Sequence, residues 1–426
     1  MGEARRGQLA RVVGFCVLSL WVAAGSCATT GAASSADATA LYTPPAPEPP
    51  GGFVLAAAVE APAGQAKARP APAGDPYREA LVDAYRSFKA LAEGKNADYI
   101  PILARVDPKL YGIALVTVQG AVYEIGAVHD EFSIQSVSKP FTAARVIDTL
   151  GPEAIHQRIG VNATGQKFNS ILAIDLFKNI PSDRDHVTPA GNPLVNAGAI
   201  ATVDMVPVPP GADKWAAIEG NLNAFAGRRL SVNDEVYRSE SETNTHNRAI
   251  VQLLKDYEVI EGDPLQALDL YTRQCSVSVS ARDLAVMGAT LANGGKNPLT
   301  GIQVVAAGTA AKVLALISTA GLYETTGEWL YKVGVPAKSG VGGGIVAVVP
   351  GKFAVGTFSP PLDAAGNSVR GQRAVEAIMQ KLGGNLFASK PAVRERTTGA
   401  MLTPAPPPAP APAPTPASAP IAGGSH

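Results

Sequence analysis

Gln135-Ser136-Val137-Ser138-Lys139 opens an apolar run with helical spacing that reaches Leu150 and stops at Gly151. Residues three apart share one helix face, with β-carbons about 5–6 Å apart, so the spacing predicts the Lys139 amine beside the Ser136 hydroxyl. A helix start presents free backbone N–H groups and the positive end of the dipole. Both favour negative charge on Ser136 and a neutral Lys139. A lysine desolvated in a closed pocket loses basicity and can act as a general base. The same N–H groups offer part of an oxyanion hole. An isolated Ser-x-x-Lys is nevertheless weak, because an N-cap serine with a solvated lysine explains most such matches.

A second run, Lys338-Ser339-Gly340-Val341-Gly342-Gly343-Gly344, stands just before a strand pattern. In Ser-x-x-Lys hydrolases a Lys-Ser/Thr-Gly strand edge lines the cleft, where it binds the substrate's carboxylate region or supports the nucleophile. Glycines let the backbone approach a small ligand closely. A phosphate cradle would need Gly-x-x-x-x-Gly-Lys, and that order is absent. Working outward, Asp75-Pro76 pairs an N-cap residue with proline at the first helical position. Leu81, Tyr85, Phe88 and Leu91 continue at helical spacing, which predicts a helix ending near Gly94. Tyr111 to Val118 and Ala121 to Ile125 flank Gln119-Gly120 as a hairpin, and Ile345 to Val349 and Phe353 to Phe358 flank Pro350-Gly351 as another. From Ser136 to about Leu330 the pattern is mostly helical, with Leu284 to Leu291 and Ala310 to Leu316 as buried stretches. Val375, Ile378 and Leu382 mark a closing helix stopped by Gly383. Strands from both ends of the core therefore bracket a helical middle. The economical solution is an α+β fold: one antiparallel sheet built from both ends, covered by the terminal helices, with an inserted all-helical subdomain.

The ends of the chain read differently. Arg5, Arg6 and Arg11 precede the apolar run Val12 to Ala24, an export-signal pattern too short to span a bilayer comfortably. Ala24-Gly25-Ser26-Cys27 has two readings: a lipoprotein box that anchors the chain through lipid on Cys27, or an ordinary cleavage site. Either predicts an exported protein, periplasmic or membrane-anchored. The predicted organisation is a signal over 1–27, an Ala/Pro-rich linker over 28–75, a catalytic domain over 76–390 and a Pro/Ala-rich tail over 391–426. Among 426 residues, Lys plus Arg number 36 and Asp plus Glu number 36, so no broad charged field is available for nucleic acid. Cys275 is the one cysteine of the core, and the histidines lack His-Glu-x-x-His spacing. No metal and no cofactor is expected.

The stretch Phe132 to Lys139, with Asn192-Pro193-Leu194-Val195-Asn196-Ala197-Gly198-Ala199-Ile200 and Val335 to Ile345, resembles the serine-dependent glutaminase family, the group that includes bacterial glutaminase A and the kidney-type enzymes. Asp98-Tyr99-Ile100-Pro101 and the segment from Ser368 also fit, so the likeness covers about residues 76–385. The resemblance implies a β-lactamase/DD-peptidase-like fold and hydrolysis of L-glutamine to L-glutamate and ammonia. It implies Ser136 as nucleophile, Lys139 as general base and Tyr323 as a proton carrier near the Ser136 hydroxyl. Tyr99 would line the pocket, Asn196 and Tyr271 would contact substrate, and Glu240 and Asn247 would hold the α-amino and neighbouring groups. The backbone of Val341 would complete the oxyanion hole with that of Ser136. It also implies a homo-oligomer, a dimer or tetramer.

Those residue types suit the substrate. Glutamine carries an ammonium, a carboxylate and an amide, which call for an acid, amide hydrogen-bonders and phenols. Three departures from the family pattern stand out: a longer segment over 181–190 before the Asn196 motif, the Pro-rich extensions with the export signal, and a polar interior between Glu240 and Asn247. The alternative is a penicillin-binding or β-lactamase-type Ser-x-x-Lys hydrolase, which export favours. Against it stand the Asn196 block, the Glu240/Asn247 pair and the lack of a Ser-Asp-Asn element.

Overall fold

The computed structural model describes residues 74–179 and 190–388. The expected export signal, almost all of the linker, the segment 181–189 and the Ala-Pro tail lie outside the described residues.

The first helix, α1 (Pro76–Phe88), starts as its sequence dictates, with the Asp75 carboxylate accepting from the N–H groups of Tyr77 and Arg78. It stops at Phe88, short of the expected end near Gly94. Gly94 serves a different purpose. Its φ is +88°, and a β-carbon there would stand 2.6 Å from the Leu362 carbonyl oxygen. The glycine admits a backbone crossing that joins Lys95 to Leu362. The short α2 (Pro101–Ala104) follows Tyr99.

Both expected hairpins form. β1 (Gly112–Thr117) pairs with β2 (Val122–Gly126), and β7 (Gly344–Val349) pairs with β8 (Phe353–Phe358). β8 also pairs antiparallel with β1, and β6 (Ala337–Ser339) with β7. The sheet order is β2-β1-β8-β7-β6, so the two ends of the core do share one antiparallel sheet. Side chains alternate between two buried faces, as period-two patterning requires. Ile113, Leu115, Ile345, Ala347 and Val355 face α1 and the closing helix α14 (Val369–Leu382), while Ala114, Val116, Val346, Val348 and Ala354 face the helical middle.

That middle runs through α3 (Lys139–Leu150), α4 (Pro152–Arg158), α5 (Ile171–Asn179), α6 (Asn196–Asp204), α7 (Lys214–Ala226), α8 (Asp234–Thr243), α9 (Thr245–Asp256), α10 (Pro264–Cys275), α11 (Ala281–Ala292), α12 (Ala307–Ala320) and α13 (Thr326–Lys332). α11 lies flat on the sheet. It can do so because Gly288 has no side chain: a β-carbon there would meet Val346 Cγ2 at 2.5 Å and the Ala354 β-carbon at 2.8 Å. The middle also holds a small sheet that the sequence pattern does not announce. β3 (Phe132–Ser133) and β4 (Ser231–Val232) flank β5 (Val277–Val279). Strands of two and three residues carry too little alternation to be read. Their effect is local: β3 delivers the chain directly into the Ser136 turn.

Candidate active site

The nucleophile turn is a 3-10 helix, Gln135–Ser138, that runs without a break into α3. Its entry is fixed from the small sheet, where the Ile134 N–H donates to the Val277 carbonyl at 2.8 Å. The Ser138 hydroxyl donates to the Gln135 carbonyl at 2.7 Å and closes the turn. In a 3-10 turn, side chains three apart eclipse one another, so Ser136 and Lys139 rise from the same side. Gln135 adopts φ +51° to make the entry, a conformation that non-glycine residues rarely hold.

Lys139 is only 1% exposed. Its Nζ donates to Asn196 Oδ1 at 2.7 Å, and burial lowers its amine to about 8. The Tyr271 hydroxyl donates to the same Oδ1 at 3.1 Å, and Asn196 Nδ2 donates to Asn247 Oδ1 at 3.0 Å. One side-chain amide thus joins the lysine to a phenol and to a second amide. Asn196 opens α6 and Asn247 sits in the first turn of α9, while Glu240 lies near the end of α8. The seven-residue step from Glu240 to Asn247 spans the break between two helices, which turns both side chains toward one place. Burial pushes the Glu240 carboxyl up to about 7, against a hydrogen bond from Gln135 Nε2 that favours its ionised form.

Tyr323, buried, stands at φ +56°. Burial raises its phenol above the ordinary value, and a hydrogen bond with Ser136 acts in the opposite sense. Its hydroxyl also donates to the Ser339 carbonyl at 3.3 Å, and the Phe168 ring packs on it at 4.5 Å between centroids. The glycine-rich turn after β6 lies directly against the nucleophile turn. A β-carbon at Gly340 would stand 2.9 Å from the Ile134 carbonyl oxygen, and one at Gly342 would stand 2.5 Å from that of Ser133. No hydrogen bond among the described residues engages the backbone N–H of Ser136 or of Val341. Tyr99 is 57% exposed and lies within electrostatic reach of both Glu240 and Tyr323.

The nine residues expected from the sequence therefore gather around one turn. Two further participants went unread. Gln135 ties the turn to Glu240, and only its place beside Ser136 could have hinted at it. Asn367 accepts from the Ser339 hydroxyl at 2.6 Å and donates to Thr325 Oγ1 at 3.1 Å, and only its place just before Ser368 could have hinted at it. Of the two roles open to Lys338, the geometry disfavours contact with a substrate carboxylate: its amine is buried and bound to backbone carbonyls. A cavity of about 760 Å³ lined by Lys89, Gly94, Asn96, Asp98, Lys109 and Arg370 includes none of the nine. Among the described residues, no group of three or more His, Cys, Asp or Glu side chains could hold a metal ion.

A family model described as Glutaminase matches residues 94–387. The chain belongs to the glutaminase family. A glutaminase from Colwellia psychrerythraea is 52% identical over 307 residues, covering 72% of this chain and 96% of the relative. One from Mycobacterium ulcerans is 48% identical over 309 residues, covering 72% and 94%. Among solved structures, the probable glutaminase ybaS aligns with a TM-score of 0.71 at 43% identity, covering 74% of this chain and 99% of that one. A probable glutaminase from Bacillus subtilis, complexed with 6-diazo-5-oxo-L-norleucine, aligns with a TM-score of 0.64 at 28% identity, covering 74% and 98%. The α+β, β-lactamase-like glutaminase fold expected from the sequence is thus the fold observed.

Proposed function

We propose that this chain hydrolyses L-glutamine to L-glutamate and ammonia through an acyl-enzyme on Ser136. The observation that carries the reading is the sealed Lys139 amine, lowered to about 8 and one turn from the serine, inside a glutaminase-family site. Lys139 takes the Ser136 proton as Oγ attacks the side-chain amide carbon of glutamine. The N–H groups of Ser136 and Val341 receive the oxyanion. The carbon–nitrogen bond breaks, and the leaving nitrogen departs as ammonia with a proton passed through Tyr323. Water then adds to the acyl carbon, loses its proton to the same base, and releases glutamate with Ser136 restored. Glu240 pairs with the α-ammonium of the substrate. Asn196, Asn247, Tyr271 and Tyr99 surround the rest of it.

The test is ammonia release from glutamine by the purified chain beside its Ser136→Ala variant. A loss on the order of 10⁴-fold or more is expected. Cephalosporin turnover with inert glutamine would overturn the assignment in favour of a β-lactamase-type hydrolase. We also propose export through the segment 1–27, with the chain either released in the periplasm or held by lipid on Cys27, and assembly as a homo-oligomer. Cell fractionation and gel filtration read these two directly.

A further inference from the structure

Lys338 is fully buried in β6, and its amine takes no part in the steps above. Burial, and next the repulsion of Lys139, hold that amine well below its ordinary value. Its contacts converge on one residue. Nζ donates to the Gly321 carbonyl at 2.9 Å and to the Ser339 carbonyl at 2.7 Å, and lies 4.4 Å from the centre of the Tyr323 ring. The Gly321 carbonyl belongs to the backbone that enters Tyr323. The Ser339 carbonyl is the one that accepts from the Tyr323 hydroxyl. Tyr323 itself needs such support, because φ +56° is left-handed backbone, which a tyrosine holds only against strain. An amine that grips the chain before the tyrosine and the acceptor at its tip, and covers the ring between, fixes both ends of the side chain at once.

We propose that Lys338 is a positioning residue for proton transfer: it acts through Tyr323, holding that phenol against Ser136, and does not touch the substrate. This rests on the reading of Tyr323 as a proton carrier. It separates Lys338 from Glu240, Asn196 and Asn247, which surround the substrate.

A double-mutant cycle of Lys338→Met and Tyr323→Phe on the full chain tests it, with kcat and KM measured separately. Lys338→Met alone is expected to lower kcat about 10²-fold or more, the range of one proton-transfer group, with KM within about threefold of the parent. In the Tyr323→Phe background the same change is expected to cost less than about threefold more, because its target is already gone. Losses that multiply in the double variant would overturn the proposal, since Lys338 would then act independently of Tyr323. Parental kcat in Lys338→Met would overturn it while leaving Tyr323 its role. Parental kcat in Tyr323→Phe would sink the role of Tyr323, and this proposal with it. Lys338→Gln keeps one buried donor and serves the same cycle if the methionine variant does not fold.

Discussion

A single neutral side chain, Asn196, is the hydrogen-bond partner of Lys139, the general base of the proposed mechanism. Its Oδ1 receives Lys139 and Tyr271, and its Nδ2 reaches Asn247, so the neutral amide satisfies the amine without adding charge. Lys139 therefore stays at the low value that burial imposes. Below about 7 the Glu240 carboxyl is protonated and cannot pair with the substrate ammonium; below about 8 Lys139 is protonated and cannot accept from Ser136. The roles proposed for the two groups need their deprotonated forms, so kcat/KM should rise with pH across 7 to 8. A flat profile from pH 6 to 9 would contradict this. In Asn196→Asp a carboxylate beside Lys139 favours the charged amine, which raises its pKa. The rising limb of kcat should then move to higher pH, read from a pH–rate profile beside the parent. At this scale the sequence was informative because Ser136, Lys139 and Asn196 sit inside specific motifs. Gln135 and Tyr323 carried no sign of their positive φ, since nothing in residue type signals left-handed backbone at a glutamine or a tyrosine.

Elements were legible in proportion to their length and periodicity. The hairpins around Gln119-Gly120 and Pro350-Gly351 were plain, and so were α11 and α14. The end of α1 was misplaced because Gly94 resembles a stop signal, whereas its bare α-carbon is required by the nearby Leu362 carbonyl. The three short strands around Ser136 were invisible because their order comes from tertiary pairing, not from local pattern. The contact of α11 with the sheet is sharper than any pattern could convey. Gly288→Ala places a methyl within 2.5 Å of Val346 Cγ2. A loss of about 1–3 kcal/mol is expected, seen as a lower urea midpoint with unchanged slope. KM for glutamine should hold in the folded variant, because Gly288 faces the sheet. An unshifted midpoint would mean that the helix lifts away without penalty.

At the scale of the molecule, the catalytic sheet is closed by chain segments more than 200 residues apart, as the pairing of Gly112 with Phe358 shows. Such non-local pairing makes folding depend on both ends of the core together. A chain trimmed to 74–388 should keep kcat and KM within about twofold of the full chain, because every residue of the site and both sheet-covering helices are retained. Removing α14 as well uncovers Val355, Ile345 and Ala347, and should leave a chain without a cooperative thermal transition. Activity lost on the first cut would assign a catalytic role to the extensions.

The turn carrying Ser136 and the turn carrying Val341 lean on each other backbone to backbone, through Gly340 and Gly342. The helices α6 to α10 reach that pair through side chains: Asn196 accepts from Lys139, and Glu240 accepts from Gln135. The serine turn is therefore braced by bare main chain on one flank and by polar side chains on the other. A designer could exchange those side chains one at a time and leave the glycine seam intact, whereas any side chain added at Gly340 or Gly342 would push the two turns apart.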